Sequence, residues 1–311
     1  MQNKKLTFRD YPKILKETFS AFMDDKGLKL SASLAYYTIF SLAPMLIVLL
    51  SVGGLFYGQE ALQGKVFSQI NDFVGNDAAI FIQNTLQKLE LSGKGTVAIV
   101  TGIVTLVIGA SGIFVEIQDS INTIWRVKAV PKKGWVKLLI NRVLSLSMIA
   151  SLGFILIVSL LINSLVLVFS DMLSKYLPDF TLIFIDVINL GITFIVLMVL
   201  FGIIYKVLPD VEISWRQIRS GAFFTALLFM LGKYLIGLYI QYAAVGDIYG
   251  AAGTVVVIAV WVYYSAAILF FGAEFTWAHA KIRGDYIQPS KHAVAIRQVE
   301  TQHRSDSVDL S

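Results

Sequence analysis

Six long apolar segments alternate along this chain with polar loops, and the basic residues are sorted between alternate loops. Of the 26 lysine and arginine residues, 20 lie before the first segment, in the second loop, in the fourth loop or after the last segment. Basic residues set the orientation of membrane proteins because they are retained in the cytoplasm, whereas acidic residues contribute little. The pattern therefore predicts an integral membrane protein with both termini in the cytoplasm.

The composition agrees with this interpretation. Hydrophobic residues make up 56% of the chain and charged residues only 15%, whereas about a quarter of the residues of a soluble domain are charged. The net charge of +5 belongs to the predicted cytoplasmic loops, so the expected partners are membrane lipids with anionic headgroups and not nucleic acid. The chain has no cysteine, which excludes disulfides and thiolate metal sites.

The predicted fold class is an all-α polytopic membrane protein with six transmembrane helices. A span needs ~20 apolar residues to cross the hydrocarbon layer, and the predicted spans are about 31–58, 95–117, 138–169, 181–206, 217–242 and 250–277. Residues 60–91 have helical spacing of apolar residues and predict short amphipathic helices in the first external loop.

Three domains follow from this division of the chain. Residues 1–30 are predicted to form a basic amphipathic segment along the inner leaflet, with Phe8, Leu15, Phe19 and Phe22 on its apolar side. Residues 31–284 form the transmembrane domain. The polar residues 285–311 are predicted to be a disordered cytoplasmic tail.

Charged residues inside apolar segments are the candidate functional residues, since a charge in hydrocarbon is costly and marks a functional site or a structural pair. The sequence predicts an inner cluster of Glu116 and Glu274 around Arg142, and an outer pair of Asp186 with Lys233. Asp119 and Arg126 are placed at the mouth of the inner cluster. Two readings stay open: buried ion pairs that hold helices in register, or a polar path for a substrate.

The last predicted span carries small and aromatic residues that also have two readings. Gly250 and Gly253 favour close helix packing or a mobile opening of the span. Trp261, Tyr263 and Tyr264 lie too deep for an interfacial aromatic belt, so they are expected to pack between helices or line a cavity.

Catalysis has little support in this sequence. The three histidines, His279, His292 and His303, lie at or beyond the end of the last predicted span, and no HExxH, GxSxG or P-loop motif is present. We therefore predict that the protein is not an enzyme and has no metal or cofactor.

Three motifs give the chain a family resemblance. The segments SASLAYYTIFSLAPMLIVL, GIFVEIQDSINTIWRV and GAAGTVVVIAVWVYYSAAILFFGAEFTWAHA resemble the YihY/BrkB family of bacterial inner-membrane proteins. The resemblance covers about residues 10–285. The motif positions are Ala35, Tyr36, Pro44, Asn122, Trp125, Arg126, Tyr249, Gly250, Gly253, Trp261, Tyr263, Gly272 and Glu274.

The resemblance implies a multi-pass protein of the bacterial inner membrane without an established biochemical activity. The family has carried the label ribonuclease BN by misattribution, and members are linked to serum resistance and to export of a lipopolysaccharide precursor. Two function classes stay open: a transporter or lipid-handling protein, such as a flippase or exporter, and a non-transporting scaffold for envelope assembly. A ribonuclease is a third class, which we disfavour because no hydrolytic centre is apparent. The small-residue helix faces are compatible with a homo-oligomer.

Overall fold

The computed structural model describes residues 6–41, 112–130, 178–242 and 253–296. A short 3₁₀ turn, Phe8–Asp10, precedes helix α1, Tyr11–Asp24. Residues 27–41 and 112–124 are the described parts of helices α2 and α3. The long helices are α4 (Pro178–Val207), α5 (Trp215–Tyr242) and α6 (Gly253–Arg283). Four short strands complete the described part: β1 (Val127–Ala129), β2 (Val211–Glu212), β3 (Gln288–Pro289) and β4 (Ala293–Ala295).

Three of these helices are long and apolar enough to cross a membrane. The candidate spans are Val187–Val207, Trp215–Tyr239 and Val255–Arg283, which correspond to the predicted fourth, fifth and sixth spans. Helices α2 and α3 contain the beginning of the first predicted span and the end of the second. The third predicted span, the external helices at 60–91 and Pro44 lie outside the described residues.

Two small antiparallel sheets join the connections between the helices. Strand β1 pairs with β4, so that Val127 lies opposite Ala295, and β2 pairs with β3, so that Val211 lies opposite Pro289. The segments after α3, after α4 and after α6 therefore meet at one end of the bundle, which we name the strand side. These segments carry three of the basic regions that the sequence analysis assigned to a common side.

The strands correct two expectations. The predicted disordered tail from residue 285 is wrong for 285–296, because Gln288 and Ala293–Ala295 pair with the loops after α4 and α3. The predicted all-α class also omits these sheets. Strands are predicted from the alternation of apolar and polar residues, and two or three residues are too few to show it. The strands also pair with segments that are distant in the sequence, and a single sequence does not reveal such pairing.

Helix α1, within the segment predicted to lie along the leaflet, packs on the bundle. It ends at Asp24, and Lys26 has a left-handed backbone conformation with φ of 57°, so the chain turns before α2. Ile14 and Phe22 are buried, and the Phe22 ring contacts Phe271 of α6 at 5.5 Å between centroids. Leu15 and Phe19 remain exposed. The helix thus packs on the bundle with one apolar face and leaves a second uncovered.

Helices α5 and α6 cross through a reciprocal pair of glycines and threonines. An added Cβ at Gly221 would collide with Thr276, and one at Gly272 would collide with Thr225. Each threonine donates its hydroxyl to the glycine carbonyl of its own helix, Thr225 to Gly221 at 2.7 Å and Thr276 to Gly272 at 2.8 Å. Small residues let helix backbones approach closely in lipid, where packing replaces the hydrophobic drive. The crossing fixes the α5–α6 register.

Candidate functional site

The second motif of the sequence lies at the end of α3 and contacts the connection after α4. Asn122 donates its side-chain amide to the Asp210 carboxylate at 2.8 Å and accepts from the Asp210 backbone N–H at 2.8 Å. Gln118, one turn earlier, donates to the same carboxylate at 3.1 Å. Side chains four residues apart share a helix face, so both amides reach Asp210. This explains why the motif carries two amides at this spacing.

Trp125 and Arg126 fix the end of α3 against α6. The Trp125 indole N–H donates to the carbonyl of Ala273 at 3.0 Å, and the ring is buried. Arg126 has φ of 58°, which redirects the chain into β1. Its carbonyl accepts a hydrogen bond from Ile296 at 2.7 Å. The left-handed residue thus separates α3 from strand β1.

The Arg126 guanidinium forms an ion pair with Asp25, at the turn between α1 and α2. The Asp25 side chain is almost completely buried, whereas that of Arg126 is partly exposed. Arg126 also lies over the Trp277 ring, 5.6 Å from its centroid. Lys281 lies over the same ring at 4.6 Å and pairs with Glu17 at 2.5 Å. These interactions hold α1 and α3 on α6.

Glu274 lies at the centre of this arrangement. It is fully buried, and neither of its carboxylate oxygens accepts a hydrogen bond from a donor among the residues that the structure describes. Its electrostatic neighbours include Asp25 and Arg126, and one oxygen of Asp25 is also without a hydrogen bond there. Two carboxylates facing one guanidinium would carry a net negative charge if both were ionised. A buried charge that is not balanced is costly, so this carboxyl pair is suited to take up a proton or another cation.

The structure changes the predicted inner cluster. Glu274 has Asp25 and Arg126 as neighbours instead of Glu116, and Arg142 lies outside the described residues. Arg126 was placed at the mouth of the cluster but contacts its centre, whereas Asp119 is exposed and Glu116 is half-buried on α3. Asp25 and Asp210 were missed. Both occupy turn sequences, Asp-Asp-Lys-Gly and Pro-Asp, which gave no signal of long-range contacts.

Lys233 of the predicted outer pair is exposed on α5. It lines a small cavity between α5 and α6 together with Trp261 and Tyr264. Trp261 also contacts the ring of Phe229, 5.9 Å away. Asp186 belongs to α4, but its side chain lies outside the described residues, so the Asp186–Lys233 pair stays a prediction.

The remaining motif positions divide into buried, exposed and undescribed residues. Ala35 and Gly253 are buried, Tyr36 is exposed, and Tyr263 is half-buried. Gly272 is at the α5–α6 crossing. Pro44, Tyr249 and Gly250 lie outside the described residues.

The three candidate spans, one of which carries a buried carboxyl, define an integral membrane protein. The chain belongs to the family described as Virulence factor BrkB, which matches residues 18–297, and this confirms the resemblance seen in the three motifs. No solved structure matches.

Relatives in three bacteria carry the name UPF0761 membrane protein. The protein of Verminephrobacter eiseniae is 32% identical over 269 residues, covering 84% of this chain and 60% of the relative. That of Pseudomonas paraeruginosa is 30% identical over 265 residues, with 81% and 59% covered. That of Xanthomonas campestris is 28% identical over 265 residues, with 81% and 57% covered. The chain thus spans about 60% of the length of the curated relatives that it matches.

Proposed function

We propose that this chain is a transporter or lipid-handling protein of the bacterial inner membrane, and that Glu274 is its working ionisable group. The observation that carries the proposal is the complete burial of Glu274 in a candidate span, with no hydrogen-bond donor to its carboxylate oxygens in the described part of the chain. Ionisable groups within spans are costly, and in membrane proteins they commonly mark substrate paths or proton relays.

The charge balance around Glu274 supports a role beyond helix packing. A static structural pair would match one carboxylate to one cation, but here Asp25 already pairs with Arg126. The additional carboxyl raises the cost of the folded state unless a proton or cation neutralises it. A carboxyl group that binds and releases a proton or a cation can drive a two-state change of the bundle, because its charged and neutral forms favour different helix arrangements.

The strand side supports the proposed orientation. Basic residues occupy the connections that meet there, including Lys128, Lys206 and Lys291, and α1 contacts α6 near the same end. In the inner membrane such an end faces the cytoplasm. We propose that both termini lie there and that anionic headgroups are its partners.

A non-enzymatic role is part of the proposal. Purified protein incubated with RNA and Mg²⁺, Mn²⁺ or Zn²⁺ is expected to leave the RNA intact. If RNA cleavage co-purifies with the protein and is lost in a Glu274→Gln variant, the role of this residue is hydrolysis and not transport.

Lipid movement in proteoliposomes tests the proposal. The purified chain is reconstituted with a trace of fluorescent phosphatidylglycerol, and dithionite then bleaches the label in the outer leaflet only. Vesicles are prepared with and without a proton gradient, alongside protein-free vesicles and an unrelated six-span protein.

The proposal predicts that the protected fraction of label falls below that of both controls, and that the proton gradient changes the rate. A protected fraction equal to that of both controls under all conditions would refute lipid movement. That result would favour the scaffold alternative, in which the same charges are static.

A further inference from the structure

A cleft of about 560 Å³ opens on the strand side between α1, α4, α5 and α6. Phe275, the residue after Glu274 on α6, lines this cleft. All the charged side chains that line the cleft are basic, namely Arg216, Arg219 and Arg283, and three phenylalanines, Phe223, Phe224 and Phe275, form its aromatic part.

The polarity of the cleft changes with depth in the same way on two helices. On α5, Arg216 and Arg219 are followed by Ser220 and then by Phe223 and Phe224. These positions recur every three or four residues, so they share one helix face. From Arg216 to Phe224 the helix rises ~12 Å. The cleft is therefore cationic at its mouth and aromatic further into the span.

Helix α6 repeats this gradient in the opposite chain direction. Arg283 lies at the mouth, His279 one turn deeper and Phe275 one turn deeper again. The Phe275 ring stacks on Phe224 of α5 at 4.0 Å between centroids. Ser220 and His279 meet across the cleft, with 3.3 Å between the hydroxyl and Nδ1. The two helices therefore present matching cationic, polar and aromatic levels.

The three arginines at the mouth of the cleft differ in their ion pairing with acidic residues. Arg283 pairs with Asp285 at 3.4 Å. Arg216 and Arg219 are exposed, and neither has an ion pair with another residue in the described ranges. The arginine fork matches phosphate geometry, so these two side chains are available for a phosphate group.

Helix α1 gives the cleft an apolar border. Tyr11, Leu15, Phe19 and Met23 recur every four residues along α1 and are 42%, 42%, 62% and 52% exposed. Tyr11 and Leu15 also line the cleft. An exposed apolar stripe beside basic residues is typical of a helix at the membrane interface. The cleft is therefore continuous with a surface suited to acyl chains.

We propose that this cleft binds an anionic glycerophospholipid. Its phosphate lies between Arg216 and Arg219, its glycerol region lies beside Ser220 and His279, and one acyl chain follows Phe223, Phe224 and Phe275. A soluble phosphate would use the arginines and leave the aromatic level unfilled, whereas an anionic lipid complements both. To call this lipid a substrate rests on the proposed function. Binding of the lipid in the cleft does not require transport.

Lipid binding is measured by native mass spectrometry of the full chain in mixed micelles of phosphatidylglycerol and phosphatidylcholine at low ionic strength. The test variant is Arg216→Gln/Arg219→Gln. Its matched control is Lys128→Gln/Lys291→Gln, which removes two positive charges from exposed residues of the same side. Glycerophosphoglycerol without acyl chains and inorganic phosphate are added as competitors.

The wild type and the control are expected to retain phosphatidylglycerol in preference to phosphatidylcholine, and the double arginine variant to lose about 30-fold of that preference. Equal preference in the two double variants would overturn the proposal, because the lipid would then be held by diffuse charge. Displacement by inorganic phosphate at the lipid's concentration would also overturn it in favour of a free anion. Specific binding without lipid movement in proteoliposomes would retain the site and refute only the proposed function.

Discussion

Arg126 pairs with Asp25 across 101 positions of sequence, and so joins the end of α3 to the turn between α1 and α2. Arg126 has a left-handed backbone conformation, with φ of 58°, and Asp25 precedes Lys26, which also has one, with φ of 57°. The pair therefore connects two reversals of the chain. Glu274 lies beside this pair in α6. The ion pair that joins the helices therefore also forms the environment of the proposed working group.

The Arg126→Gln variant is expected to lose about 2–4 kcal/mol of stability, because it leaves the Asp25 carboxylate buried beside Glu274 without its cation. Thermal unfolding of the detergent-solubilised protein measures the loss as a lower Tm. Lys291→Gln, which removes an exposed cation, serves as the control. Equal Tm values for the two variants would show that the ion pair contributes nothing to the bundle.

The Gly272→Ala variant is expected to lose about 1–3 kcal/mol of stability, because the added methyl group collides with Thr225 and forces α5 away from α6. Gly221→Ala should behave alike, through Thr276. In Gly237→Ala the methyl group meets nothing within 4 Å, so its Tm should equal or exceed that of wild type. If Gly272→Ala unfolds at the same temperature as Gly237→Ala, the described crossing is incorrect.

The Asn122→Ala variant is expected to lose about 1–3 kcal/mol of stability, since it leaves the backbone N–H and the carboxylate of Asp210 without their partner. The side chain of its neighbour Thr123 donates to the carbonyl of Asp119 in an exposed hydrogen bond within α3. Thr123→Ala should therefore have a Tm close to that of wild type. Indistinguishable Tm values for the two alanine variants would exclude the amide–Asp210 contact as a stabilising one.

Single cysteines can test the orientation, because the natural chain contains none. Lys128→Cys and Lys291→Cys lie on the strand side and should be protected from a membrane-impermeant maleimide in intact cells. Tyr242→Cys, at the far end of α5, should be labelled. Labelling of the strand-side cysteines in intact cells would invert the proposed orientation.

Much of the architecture was predictable from the sequence because hydrocarbon imposes simple rules. The observed span ends lie within several residues of the predicted fourth, fifth and sixth spans, since apolar length and basic flanks determine them. The BrkB-family motifs were also informative, and Asn122, Trp125, Arg126 and Gly272 all make specific contacts.

The partners of the candidate site could not be predicted in the same way. Glu274 was identified because it is a charge within an apolar run, but Asp25 lies in an ordinary polar turn and comes close only after α1 packs on α6. Arg216 and Arg219 were identified only as orienting charges. Their role as the mouth of a cleft depends on the aromatic residues of α6, which are more than 50 positions away.

The Glu274 carboxyl is proposed to serve function and not folding. Tm and lipid movement are measured on the same preparations of wild type, Glu274→Gln and Glu212→Gln, the last a matched change at the exposed residue of strand β2. Glu274→Gln is expected to have a Tm at or above that of wild type, because it removes a buried ionisable group that lacks a balancing cation, and to move no lipid. Glu212→Gln should resemble wild type in both measurements. Wild-type lipid movement in Glu274→Gln, or loss of movement only in proportion to a lower Tm, would contradict the claim.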